Sequence, residues 1–143
     1  MYSLYFDGVS KGNPGPASFG GVIYDENKKE ILIYNKAIGI YTNNVAEYMG
    51  VYMGILLCIE NGIKKVDIYG NSKLVVEQLN GNWKIKNDNI RAIYDKIQNV
   101  LYPKVDFFKK GHVFDYITFN HIRKNFNKRA DELANIALNK KNS

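Results

Sequence analysis

The sequence predicts an α/β domain in which a mixed β-sheet is packed by helices. Three observations carry this. Early strand-like runs are joined by short turns, later strand-like runs are separated by helical ones, and no repeat, low-complexity tract or linker divides the 143 residues. Short turns make antiparallel pairs, whereas a strand-helix-strand step needs a right-handed crossover and a parallel pair. A mixed sheet satisfies both, and one domain over residues 1–143 is the natural size for it.

The first strand is expected at about 2 to 8, where Leu4 and Phe6 alternate with Ser3 and Tyr5. Asp7 stands near its end, because Gly12, Asn13, Pro14 and Gly15 then force a turn. Strands follow at about 18 to 25 and 30 to 40, with Asp25 to Lys29 as the turn between them. A helix is expected over about 44 to 61: Tyr48, Val51, Tyr52, Ile55, Leu56 and Ile59 recur at helical spacing, and Asn44 is the expected cap. Glu47 lies in its first turn. A strand at about 64 to 70 gives way at Asn71, and helices at about 72 to 80 and 88 to 101 come next. The last elements are a strand at about 113 to 121 and a helix at about 126 to 140, with Asp131 in its early turns.

Four blocks punctuate this order: Asp7-Gly8 with Asn13-Pro14-Gly15, Thr42-Asn43-Asn44 with Ala46-Glu47, a strand ending in Asn71-Ser72, and Asn127 before Ala130-Asp131 with Leu133-Ala134. Any one block is weak. All four in order across residues 7–134 resemble type 1 ribonuclease H. Trp83-Lys84-Ile85-Lys86-Asn87 passes directly into the next helix, without the basic protrusion some bacterial members insert. In that respect the chain is similar to the shorter archaeal-type branch. One position departs from the family pattern: Asn71 stands where the third aspartate is expected.

The resemblance implies an RNase H-like fold, a five-stranded sheet in the order 3-2-1-4-5 flanked by helices. Asp7 and Asn71 would then sit on neighbouring strands roughly 5 Å apart. It further implies endonucleolytic hydrolysis of the RNA strand of RNA/DNA hybrids with two Mg²⁺ ions, Mn²⁺ serving as a substitute. Asp7, Glu47, Asn71 and Asp131 would form the metal set. Hard dications take oxygen ligands, and a pair of them can serve both the attacking and the departing oxygen. His121, ten residues before Asp131, matches a histidine implied to shuttle protons or assist product departure; the alternative is a solvated loop residue.

By the same resemblance Asn13, Gly15, Asn43 and Asn44, with Gly8 and Ser10 close by, would read riboses of the RNA strand. Thr42 and Asn87 would hold a DNA phosphate, and Trp83 would pack on a deoxyribose. Turn and cap chemistry is the alternative for the asparagines, and a core position for Trp83. The family's extra pocket arginine falls at Ile40. Lys73, Lys84, Lys86 and Lys124 are further phosphate candidates.

Asn71 keeps an oxygen where an aspartate has one, but brings no charge, so cleavage is expected to be severely reduced. Either the loss is inherited, or an isosteric replacement was introduced; the intact motifs around it favour the second. The alternative function is a noncatalytic RNA/DNA-hybrid or double-stranded-RNA binding module on the same fold.

Bulk properties agree with a polyanionic partner. The net charge is +6, yet residues 1–72 carry six Lys/Arg against seven Asp/Glu, and residues 73–143 carry fourteen against seven. Ordinary solubilising charge is the competing explanation. Cys58, the single cysteine, excludes an intrachain disulfide and a cysteine-based zinc site. The chain has no apolar run of membrane-span length and no signal-peptide pattern, so a cytoplasmic monomer without membrane partners is expected.

Overall fold

The computed structural model describes residues 1–142, so only residue 143 of the expected domain lies outside the described residues. The elements are β1 (Tyr2–Ser10), β2 (Gly15–Tyr24), β3 (Glu30–Tyr41), α1 (Asn43–Glu60), β4 (Lys65–Gly70), α2 (Lys73–Leu79), α3 (Asp88–Leu101), β5 (Tyr116–His121) and α4 (Lys128–Asn142). A 3-10 turn, Lys124–Phe126, precedes α4. The sheet order is β3-β2-β1-β4-β5. β1–β2 and β2–β3 are antiparallel, while β1–β4 and β4–β5 are parallel. The expected topology and element order hold.

Strand alternation decides what each face of the sheet does. Leu4 and Phe6 of β1, Ile23 of β2, and Val66 and Ile68 of β4 are fully buried with Val51 and Ile55 of α1 and Ile97 of α3. This is the main core. Ser3, Tyr5 and Asp7 alternate with them and so face the opposite side. There α4 lies over β1, β2 and β3. Two side chains pin it: the Ser18 hydroxyl donates to the Ala134 carbonyl, and Asn35 Nδ2 donates to the Leu133 carbonyl at 2.8 Å.

Several boundaries differ from expectation for backbone reasons, among them β2, which begins at Gly15 rather than about 18 because its pairing with β3 runs on to Gly15↔Tyr41. β1 runs on to Ser10 because its pairing with β2 continues to Ser10↔Ala17. β5 begins only at Tyr116, since the Val113 N–H bonds the Leu101 carbonyl rather than β4. The last helix begins at Lys128, after the 3-10 turn. Between α3 and β5 a small hairpin closes through a Lys104↔Lys110 bridge, an element the sequence reading did not contain.

Candidate active site

The parallel register pairs Phe6 with Gly70, so the next residues along, Asp7 and Asn71, lie beside each other at the strand ends. α1 brings in Glu47 by close packing. A Cβ on Gly8 would fall 2.3 Å from the Glu47 backbone nitrogen, so only glycine lets the first turn of α1 settle against β1. α4 brings in Asp131. Asp7 and Glu47 are buried, and the Asp7 carboxyl is within hydrogen-bonding reach of both Glu47 and Asp131. The four positions read from the motifs therefore converge.

Asn127 organises this corner, and the sequence reading assigned it no role although it stood in a motif. It is 1% exposed, and its Nδ2 donates to the Phe6 carbonyl at 2.8 Å and to Asn71 Oδ1 at 2.6 Å. A backbone carbonyl can only accept, so the Phe6 oxygen fixes which end of the Asn127 amide is nitrogen. Asn71 must then present its oxygen to Asn127. The rest of the Asn71 amide is an NH₂ group, held where the second oxygen of an aspartate would be. Asn71 thus differs from aspartate both in charge and in the atom it turns away from Asn127. Asp67 does not replace the missing charge, because it lies four residues back along β4, roughly 13 Å from Asn71, where its Oδ1 accepts from the Thr118 hydroxyl.

The electrostatics are those of crowded acids. Burial is the largest cause raising the Asp7 carboxyl to about 6; a hydrogen bond with Glu47 lowers it, the neighbouring Asp131 raises it, and the Gly8 N–H lowers it. Burial first, then Asp7, pushes the Glu47 carboxyl well above its ordinary range. Asp7 Oδ2 and Glu47 Oε2 are buried without a hydrogen-bond partner. No group of three or more His, Cys, Asp or Glu side chains is set to hold a metal ion among the described residues, and the acids meet one another through Asp7 instead. Asp7, Glu47 and Asp131 offer only oxygen, two of those atoms buried without a partner, and so fit a hard divalent cation; Asn71, expected in the same set, has its oxygen taken by Asn127 and is not a ligand in this arrangement.

A raised carboxyl destabilises the fold once it ionises. Asp7 contributes stability below its ordinary value of 3.8 and loses it as pH rises through about 6. Metal-free Asp7→Asn protein should therefore melt several degrees above its parent at neutral pH, the gap closing as pH falls towards 4. Thermal melts in chelator across that range check this, and a gap independent of pH would contradict it.

Most of the expected substrate residues line one open cleft at the start of α1, the helix that carries Glu47. Asn13, Thr42, Asn44, Trp83 and Asn87 share it with Lys84 and Lys86. Trp83 is 43% exposed, which removes the core reading, and Lys73 Nζ lies 5.9 Å from its ring centroid. Thr42, not Asn44, caps α1, its side chain accepting from the Val45 N–H at 3.2 Å. The difference is one of register, since α1 starts at Asn43. Asn87 caps α3 through Oδ1, leaving its NH₂ for the cleft.

The remaining candidates also support the backbone. Asn13 Oδ1 accepts from the Asn43 N–H at 2.8 Å, tying the β1–β2 turn to the start of α1, and the Ser10 hydroxyl donates to the Tyr41 carbonyl at 2.8 Å, tying the end of β1 to the end of β3. Gly15 is glycine for space, since a Cβ there would fall 1.5 Å from the Lys11 carbonyl oxygen. His121 is the exposed last residue of β5, paired with Gly70 and hence at the acid end of the sheet. Ile40, where the family's extra arginine would fall, is 66% exposed and does not line this cleft.

A five-stranded sheet in this order, with acids converging from β1, α1 and α4, defines the ribonuclease H class of α/β folds. The reverse transcriptase-like family model matches residues 5–137. A bifunctional protein of Mycobacterium tuberculosis is 36% identical over 133 residues; the match takes in 92% of this chain but 34% of that protein, so the chain spans about a third of its length. The crystal structure of RNase H1 from the archaeon Halobacterium salinarum superposes with a TM-score of 0.86 at 32% identity, covering 97% of this chain and 98% of that one. LC11-RNase H1, solved in complex with an RNA/DNA hybrid, gives a TM-score of 0.86 at 33% identity, with all of both chains covered. The chain belongs to the ribonuclease H family and is ribonuclease HI-like.

Proposed function

We propose that the chain grips RNA/DNA hybrids in the cleft between the β1–β2 turn, the start of α1 and the start of α3, and directs the RNA strand to the acids for hydrolysis. The observation that carries this is that α1 joins the two parts: its start, with Thr42 and Asn44, lines the cleft shared with Asn13, Trp83 and Asn87, and it also carries Glu47, which meets Asp7. Amides and backbone groups on the α1 side suit 2′-hydroxyls, which both donate and accept. The Asn87 amide, Thr42 and the flanking lysines suit phosphate oxygens of the other strand. Trp83 offers a flat apolar surface to a sugar.

Asp7, Glu47 and Asp131 are the residues that would hold divalent ions, Mg²⁺ or Mn²⁺, beside Asn71. When bound, such ions activate water and neutralise charge on the phosphate being cleaved. The chain's own contribution is to hold the acids at the strand ends and to position the strand against them. The exposure of His121 at the same end of the sheet supports a part for it in product departure. The Asn71 amide works against cation binding, and we infer that the rate is held down for this reason. The orientation imposed on that amide by Asn127 also favours a second reading, a binding module with little cleavage.

Fluorescence polarisation in chelator tests the shared part of both readings. An RNA/DNA hybrid should bind roughly tenfold or more tightly than duplex DNA of the same sequence, and the affinity should fall steeply with salt. Equal affinity for duplex DNA would refute ribose reading in the cleft. Double-stranded RNA in the same assay shows whether the second strand is read as well.

A further inference from the structure

The hairpin between α3 and β5 exposes apolar surface that nothing in the chain covers. Phe107 and Phe108 are each 98% exposed and Val105 is 67% exposed. Their backbone is hydrogen-bonded: the Val105 N–H bonds the Lys109 carbonyl at 3.0 Å, the Gly111 N–H bonds the Pro103 carbonyl at 2.7 Å, and the Phe108 N–H bonds Asp106 Oδ1 at 2.8 Å. The two rings, with centroids 6.3 Å apart, touch each other and project outward. Large apolar side chains are usually buried, so a hydrogen-bonded turn that holds two adjacent phenylalanines in water is a preformed contact element. Lys104, Lys109 and Lys110 stand at its neck. None of the three is in an ion pair among the described residues, and the one acid within the hairpin is Asp106.

Position separates this element from the proposed cleft. β5 begins at Tyr116, paired with Lys65 at the start of β4, while Asn71 follows the opposite end of β4. The length of β4, roughly 20 Å, therefore lies between the hairpin and the acids. A duplex seated against the acids does not account for the exposed rings.

Against the expectation from the sequence of no membrane partner, we propose that this hairpin is a docking tip for an anionic lipid surface. The tip is convex, so a rigid partner would need a matching acid-rimmed groove, whereas a lipid interface yields to it. The order of chemistry also fits. Aromatic rings at the apex pass the headgroups into the apolar layer, and the lysines behind them remain level with lipid phosphates. Docking there leaves the cleft at the far end of the sheet facing solvent. The contact is peripheral, in keeping with the finding that no helix among the described residues is long and apolar enough to cross a membrane. It stands independently of the hybrid-cleaving reading.

Vesicle flotation tests it, with phosphatidylcholine alone and phosphatidylcholine mixed with phosphatidylglycerol. The chain should float with the mixed vesicles and not with the neutral ones. F107S/F108S should weaken this roughly tenfold or more, and K104Q/K109Q/K110Q should weaken it comparably. An unchanged melting temperature shows that both variants remain folded. Absence of flotation by the parent chain, flotation unaffected by F107S/F108S, or a variant that keeps flotation but loses affinity for single-stranded oligonucleotide overturns the proposal.

Discussion

Asn71→Asp should raise divalent-dependent cleavage of an RNA/DNA hybrid by roughly 100-fold or more, with little change in hybrid affinity. The reason lies in the amide that Asn127 orients. Asn127 Nδ2 donates to Asn71 Oδ1 at 2.6 Å, and a carboxylate would accept the same bond with one oxygen. Its second oxygen would then replace an NH₂ group beside Asp7, supplying negative charge where the amide presents hydrogens. The substitution is nearly isosteric, so the packing of β4 against β1 stays as it is. Single-turnover cleavage of an end-labelled hybrid in Mg²⁺, with parent and variant at saturating enzyme, gives the ratio directly. Tight binding with no gain in rate would establish the noncatalytic reading.

The second large effect is on stability. Asn127→Leu removes the donor from the Phe6 carbonyl and from Asn71 Oδ1, the first of which is buried. A buried acceptor left without its donor costs about 1–3 kcal/mol. Part of that is offset, because Asn127 Oδ1 is itself buried without a partner. The net loss should be on the order of 2 kcal/mol, or roughly 5 °C in melting temperature. In the Asn71→Asp background the same change should also weaken Mn²⁺ binding, since residue 71 would lose the bond that orients it. Calorimetric melts in chelator and Mn²⁺ titration separate the two consequences. An unchanged melting temperature would mean that Asn127 does not anchor the corner.

Much of the fold and of the acid set was legible because it is written in local pattern. Leu4 and Phe6 alternate, the face of α1 recurs at helical spacing, and Asp7, Glu47, Asn71 and Asp131 each sit in a distinct motif. What escaped was written across distance. Asn127 stood in a motif, yet its partners Phe6 and Asn71 lie 121 and 56 residues away, and no spacing rule reports such a bond. Gly8 reads as the end of the first strand and a neighbour of the ribose readers, whereas its close approach to Glu47 exists only once α1 has docked. The cap at Thr42 rather than Asn44 turned on where α1 begins, which Thr42-Asn43-Asn44 leaves open because all three residues can cap. The Lys104–Lys110 hairpin was invisible because Val105 to Phe108 is too short and irregular to show a period.

Thr42 and Asn87 have a common consequence. Each is the N-terminal cap of a helix, α1 in one case and α3 in the other, and both line the same cleft. The positive ends of two peptide macrodipoles therefore open onto it. Attraction of this origin belongs to the main chain, so no protonation event or lysine modification switches it off.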